Sequence, residues 1–199
     1  MDKGMNRATI TLPPKLKLNI DLTDDQFFQL CQNNRDFRFE RTAKGELIVM
    51  APTGSDTGNC NFDVAVEVGI WNKQTKLGKG FDSSSGFKLP NGAERSPDVS
   101  WIKQERWDAL TPEEQKKFAP ICPDFVVEIR SASDTLKDLQ EKMQEYIDNG
   151  ARLGWLLDRK NKRVEIYRPH RDVEILENPE TLSGEDVLPG FILNLKPIL

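Results

Sequence analysis

The sequence predicts a single mixed α/β domain, with a central mixed β-sheet flanked by helices and an added N-terminal helix and hairpins. Three observations carry this. Short apolar runs at 98–102, 124–130 and 153–157 have strand length and are bounded by Pro, Gly and Asp. Residues 62–77 and 134–149 instead carry apolar side chains at helical spacing. Their order, helix, hairpin, helix, then strand–strand–helix–strand–strand, is not regular βαβ alternation. Neither GxGxxG nor GxxxxGK[ST] occurs, which removes the common nucleotide-binding folds.

Residues 1–20 read as a flexible N-terminal arm, polar and punctuated by Pro13-Pro14, ahead of a single domain over 21–199. Thr23-Asp24-Asp25-Gln26 has the spacing of a capping box and opens a helix to about Asn33. Phe37-Arg38-Phe39-Glu40 and Leu47-Ile48-Val49-Met50 flank Ala43-Lys44-Gly45 as a hairpin, which Ala51-Pro52-Thr53-Gly54 ends. The next helix carries Phe62, Val66 and Ile70, and Gly78 is its expected stop. A Gly/Ser-rich passage at 81–92 reads as a hairpin or irregular loop. The strand at 98–102 and a polar connection with a helix start at Thr111-Pro112-Glu113-Glu114 lead to the strand at 124–130. Ser133 or Asp134 is expected to cap the following helix, and Asn149-Gly150 to end it. Leu153–157 and 164–167 form a hairpin around the charged turn 158–162. The tail adds short edge pieces and a last strand with Leu193 and Leu195.

Composition limits the function. A net charge of −4 speaks against coating nucleic acid by bulk basicity, though not against a local basic rim around an acidic pocket. Cys31, Cys60 and Cys122 are odd in number and lack CxxC spacing, which fits free thiols in a reducing compartment. No stretch approaches the roughly 20 apolar residues of a membrane span. The chain reads as soluble and cytoplasmic.

The chemistry centres on Pro123-Asp124-Phe125-Val126-Val127-Glu128-Ile129-Arg130, an apolar strand with a carboxylate inside it. A buried ionised Glu is costly unless paired, protonated or bound to metal. Strand alternation puts Val126, Glu128 and Arg130 on one face and Phe125, Val127 and Ile129 on the other. Asp98, at the mouth of the strand 98–102, is the second such acid. Either acid alone fits a turn or an edge salt bridge. Together they suit a hard cation, whose bound water would be acidified beside a phosphate. Lys142 borders the stripe Leu136, Leu139, Met143 and Ile147, and position alone would let its ammonium run out to solvent.

Asp98 followed by Glu128-x-Arg130 resembles the PD-(D/E)XK nuclease arrangement, and a wider set of segments resembles the Uma-type family of restriction endonuclease-like proteins. These segments include 45–54, 86–92, Ser96-Pro97-Asp98-Val99-Ser100, 123–128, Ser131-Ala132-Ser133-Asp134, Lys142-Met143-Gln144-Glu145-Tyr146 and Trp155-Leu156-Leu157-Asp158, in order over about 45–168. The resemblance implies a restriction-endonuclease-like fold and Mg²⁺-dependent hydrolysis of DNA phosphodiester bonds, with Mn²⁺ as a substitute. It implies Asp98 and Glu128 as metal ligands, a catalytic lysine moved from the strand to the helix at Lys142, and Glu46 as an assisting acid. The chain departs from the pattern in carrying Arg130 at the strand-lysine position, and Gly58 and Asn59 where relatives carry a histidine. Its only histidine, His170, reads as an exposed turn with no role.

A literal match, Pro123-Asp124 with Asp158-Arg159-Lys160, is rejected, because 158–162 reads as a hairpin turn with its charges toward water. Two other functions fit. One is a catalytically silent module that binds nucleic acid or protein through the same cleft. The other is a structural dimer module, should Trp101, Trp107 or Trp155 be exposed. For the nuclease, a homodimer is expected from the two strands of its substrate.

Overall fold

The computed structural model describes residue 13 and residues 15–199. It opens with β1 (Lys15–Asn19), α1 (Asp24–Asn33), β2 (Arg38–Arg41) and β3 (Glu46–Met50). The expected capping box forms: Thr23 Oγ1 accepts from the Gln26 amide, and the Gln26 side chain accepts from the Thr23 amide. Gly45 turns the β2–β3 hairpin at φ +86°. The expected arm is cut short. Lys15–Asn19 pairs antiparallel with β3 over its whole length, covering an edge that would otherwise present unpaired amides and carbonyls. Residues 1–12 and 14 of that arm lie outside the described residues.

Next come α2 (Ser55–Thr75), β4 (Gly78–Asp82), β5 (Phe87–Lys88), β6 (Glu94–Arg95) and β7 (Val99–Lys103). Lys76, at φ 58°, ends α2 in place of Gly78. Gly78 has another reason: a Cβ there would lie 2.1 Å from the Ile102 carbonyl oxygen and 2.5 Å from the Trp101 ring. Short α3 (Gln104–Asp108) and α4 (Pro112–Gln115) lead to β8 (Phe125–Ile129), α5 (Leu136–Asp148) and β9 (Leu153–Asp158). Thr135, rather than Ser133 or Asp134, caps α5 by accepting from the Asp138 amide. The Asp134 carboxylate is taken by the Ser131 amide and hydroxyl and by Lys15. β10 (Arg163–Tyr167), β11 (Glu174–Glu177), β12 (Thr181–Ser183) and β13 (Ile192–Asn194) complete the chain.

The strands form two main sheets. The first, in order β1-β3-β2-β6-β5, is antiparallel. The second runs β11-β10-β9-β8-β7-β4 and is mixed, because β8 and β9 pair in parallel with α5 as their crossover. α2 and α5 cover its opposite faces. Phe125, Val127 and Ile129 of β8 meet Cys60, Val64, Val68 and Trp71 of α2. Val126 meets Leu139, Met143 and Tyr146 of α5. The tail does more than decorate an edge: Leu182, Leu188, Phe191, Leu193 and Leu195 close the α2-side core, each fully buried one contributing about 1.5–3 kcal/mol. Trp101 and Trp155 are buried, at 2 and 0 % exposure, and Trp107 is half-buried against Phe81. The exposed tryptophans on which a structural dimer module would rest are therefore not there. All three cysteines are free. Among the described residues no helix is long and apolar enough to cross a membrane.

Candidate active site

β7 and β8 pair antiparallel with Val99 opposite Val127 and Ser100 opposite Val126. One step further, that register sets position 98 against position 128, on the face turned toward α5. Asp98 and Glu128 are both buried, at 7 and 4 % exposure, and both line a cavity of about 360 Å³. Asp98 Oδ2 accepts from the Ile129 amide at 2.8 Å. Its Oδ1 accepts from Asn61 Nδ2 at 3.1 Å and from Arg38 at 3.4 Å. Glu128 Oε1 accepts from the Tyr146 hydroxyl at 3.1 Å and lies 2.7 Å from Lys142 Nζ.

Lys142 does not run out to solvent. Its ammonium also lies 2.7 Å from Glu40 Oε1, on β2 of the first sheet. Glu40 in turn accepts from the Ser96 amide at 3.1 Å and pairs with Arg95 at 3.1 Å, and Arg95 reaches Glu145 of α5 at 2.6 Å. Two buried acids thus offset the desolvation of the lysine that position alone would send outward. The same chain of charges joins the two sheets across the cavity.

Asp98, Glu128 and Lys142 are therefore brought together. Glu46 lines the same cavity, where the Thr42 hydroxyl reaches its Oε2 at 3.4 Å; Lys142 pairs with Glu40 instead. Arg130 turns away to Asp158 at 2.7 Å. That pair corrects the reading of 158–162 as a solvated turn at Asp158, which is 0 % exposed and also accepts from Asn161 Nδ2 at 2.7 Å, whereas Lys160 and Lys162 are exposed as expected. Asp124 accepts from the Lys103 amide at 2.9 Å and pairs with Arg106 at 2.8 Å. Neither Asp124 nor Asp158 lines the cavity, so the literal match is structural. His170 is exposed, in a turn at φ 58°.

The charges are unequal in character. Burial pushes the Glu128 carboxyl up to about 7, with Asp98 and Glu40 adding to the rise and Lys142 opposing it. Burial would also raise Glu40, but Lys142 and Arg95 outweigh it and hold that carboxyl at about 2. Lys142 is disfavoured as an ammonium by burial, yet Glu128 and Glu40 lift its pKa above the ordinary value. Lys142 is thus a fixed cation at neutral pH, and Glu128 a carboxyl short of compensating charge.

The donor set fits a small hard cation. Two carboxylates on one face of adjacent strands face a shared cavity, and Glu128 is under-compensated there. Among the described residues no cluster of three or more His, Cys, Asp or Glu side chains is arranged to hold a metal ion.

Sequence reasoning missed Glu40, Arg38, Arg95, Asn61 and Tyr146. Alternation does put Arg38 and Glu40 on one face of β2, but a hairpin face bearing charges reads as solvated until another sheet covers it. Asn61 sits in a polar stretch, Gly58-Asn59-Cys60-Asn61, that carries no local signal.

The sequence signature of the family Uma2, described as "Putative restriction endonuclease", matches residues 24–196. The chain belongs to the Uma2 family. Among solved structures, a protein described as a "putative nuclease belonging to DUF820" from Anabaena variabilis aligns with a TM-score of 0.72 at 19 % identity, covering 89 % of this chain and 97 % of that one. At that identity the likeness speaks for the fold, which is restriction-endonuclease-like. No curated protein matches the chain.

Proposed function

We propose that this Uma2 chain is a metal-dependent DNA endonuclease that hydrolyses phosphodiester bonds. The observation that carries the reading is Lys142 Nζ, held 2.7 Å from both Glu40 and Glu128 at the wall of the cavity that Asp98 also lines. Asp98 and Glu128 would hold Mg²⁺, or Mn²⁺ in its place. When bound, that ion would supply acidification of a water and neutralisation of phosphate charge.

The chain's own residues have distinct parts in this reading. Lys142, already protonated, orients the attacking water and offsets charge developing on the phosphate rather than taking the proton. Glu40 and Tyr146 fix its position and that of Glu128. Asn61 and the Ile129 amide fix Asp98. The assisting part expected of Glu46 passes to Glu40, which leaves Glu46 as a polar group lining the cavity.

Nucleic acid suits the surroundings. A second cavity of about 860 Å³ shares Lys15, Arg38 and Ser131 with the first, and is lined by Lys15, Arg38, Arg130, Arg159 and Lys160 against Asp56 and Asp134. Lys15, Arg38, Arg130 and Arg159 are already paired with Asp134, Asp98, Asp158 and Asp56. A phosphate backbone would therefore be led toward the acidic pocket by exchange with those carboxylates rather than by a free basic surface, in keeping with the net charge of −4.

The test is cleavage of plasmid and oligonucleotide DNA with Mg²⁺ or Mn²⁺, alongside thermal unfolding with and without the metal. Cleavage is expected, together with metal stabilisation approaching about 2.7 kcal/mol at a hundredfold excess over Kd, lost in Glu128→Gln. A parent that neither cleaves nor gains stability from metal would favour the silent binding module.

A further inference from the structure

α2 is apolar on two opposite faces, and only one of them is covered. Cys60, Val64, Val68 and Trp71 are buried against the sheet. Phe62, Val66 and Ile70 recur every four residues on the other side and are 66, 36 and 47 % exposed, and Leu77, just past the helix, is 42 % exposed. Nine large hydrophobic residues are exposed among the described residues; three of them share this one face of α2 with Leu77 just past its end, while the other five lie elsewhere in the chain. Scattered exposed apolar residues are ordinary, whereas a continuous helical stripe marks a surface that is covered in the working state. Gly69 shares this face, and nothing lies within 4 Å of where its Cβ would be. Another helix could approach the backbone closely there.

The charges beside the stripe select the occupant. Asp63 and Glu67 lie in its N-terminal half, and exposed Lys73 and Lys76 lie at its C-terminal end. A second α2 laid parallel would set acid on acid and base on base. Laid antiparallel, the same helix sets each acidic half on a basic half, and the pairing is its own two-fold mate.

We infer that the exposed face of α2 is the interface of a homodimer, in which α2 packs antiparallel on α2 of a second copy. The inference does not depend on the nuclease reading. It does bear on it: α2 carries Asn61, whose amide holds Asp98, one of the acids lining the cavity, at 3.1 Å. A two-fold particle would then present one cavity per strand of a duplex.

The test is the mass of the full chain in solution, by sedimentation velocity and light scattering. The parent should run as a dimer. Phe62→Glu with Ile70→Glu should raise the dimer dissociation constant about tenfold or more. Ile175→Glu with Ile192→Glu, equal in polarity but on other exposed elements, should leave the dimer intact. Asp63→Lys with Glu67→Lys should weaken it, and adding Lys73→Glu with Lys76→Glu should restore it. Circular dichroism melting checks that each variant is folded; all the replaced side chains are at least partly exposed. A monomeric parent, or a dimer indifferent to Phe62→Glu with Ile70→Glu, overturns the inference. So does a dimer broken equally by the Ile175 and Ile192 control. Failure of the four-residue charge exchange to restore the dimer overturns the antiparallel arrangement.

Discussion

Asp124 and Asp158 are as deeply buried as Asp98 and Glu128, at 1 and 0 % exposure against 7 and 4 %, and all four lie on or beside the central strands of one sheet. Their surroundings differ. Asp158 is enclosed by Arg130 and Asn161, and Asp124 by Arg106 and the Lys103 amide. Asp98 also has its partners, the Ile129 amide, Asn61 and Arg38, but it borders a cavity. Glu128 borders the same cavity and is pushed up to about 7 by burial that its cation only partly offsets. A buried acid with a complete set of partners is a fastener. One that is under-compensated and faces open space has a partner still to come.

The sharpest way to break this comparison is through the two cations. Lys142→Ala should lower metal-dependent DNA cleavage about 10²-fold or more, whereas Arg130→Lys, at the fastener, should retain much of it. Single-turnover cleavage of a plasmid measures both. Full activity in Lys142→Ala would remove the distinction. Stability should divide the opposite way. Asp158→Asn leaves the Arg130 guanidinium without its charge partner and should cost about 2–3 kcal/mol. Glu128→Gln should cost less, because neutralising a raised carboxyl relieves its desolvation and Glu40 still faces Lys142. Urea unfolding of the metal-free chain decides it, and equal losses would place both acids among the fasteners.

A third acid sharpens the comparison with a smaller effect. Glu94 is buried on β6, and Arg41 Nε lies 2.9 Å from its Oε2 but off the line of a hydrogen bond. Burial raises its carboxyl to about 7, with Asp24 adding and Arg41 opposing. A raised carboxyl favours the fold fully below its unfolded value near 4.5, and that contribution is lost as pH rises toward 7. Parent stability should therefore carry a falling component between those values that Glu94→Gln removes. Identical slopes in the two proteins would show Arg41 to be a complete partner.

Local pattern located most of the elements. Thr23 and Thr111 announced their helices through capping boxes. The alternation in 125–129 sorted Phe125, Val127 and Ile129 from Val126 and Glu128 correctly between the two helices. Boundaries resting on one residue type were less secure: Gly78 is where it is for the Ile102 carbonyl, and Lys76 makes the stop. β1 was hidden because its use is to cover the edge of β3, which no local pattern displays.

The sequence by itself determined the strand and helix alphabet of this protein, the family it resembles, and the acids Asp98 and Glu128, because periodicity and short motifs act over a few residues. Only the tertiary structure decided the fate of the charges. Lys142 could have gone to water, and it stays because Glu40, 102 positions earlier on another sheet, faces it across the cavity. Arg130 stands where a catalytic lysine is expected, and it leaves because Asp158 lies buried beside it. A charge goes where its desolvation is best offset, and the groups that offset it are set by packing between distant segments.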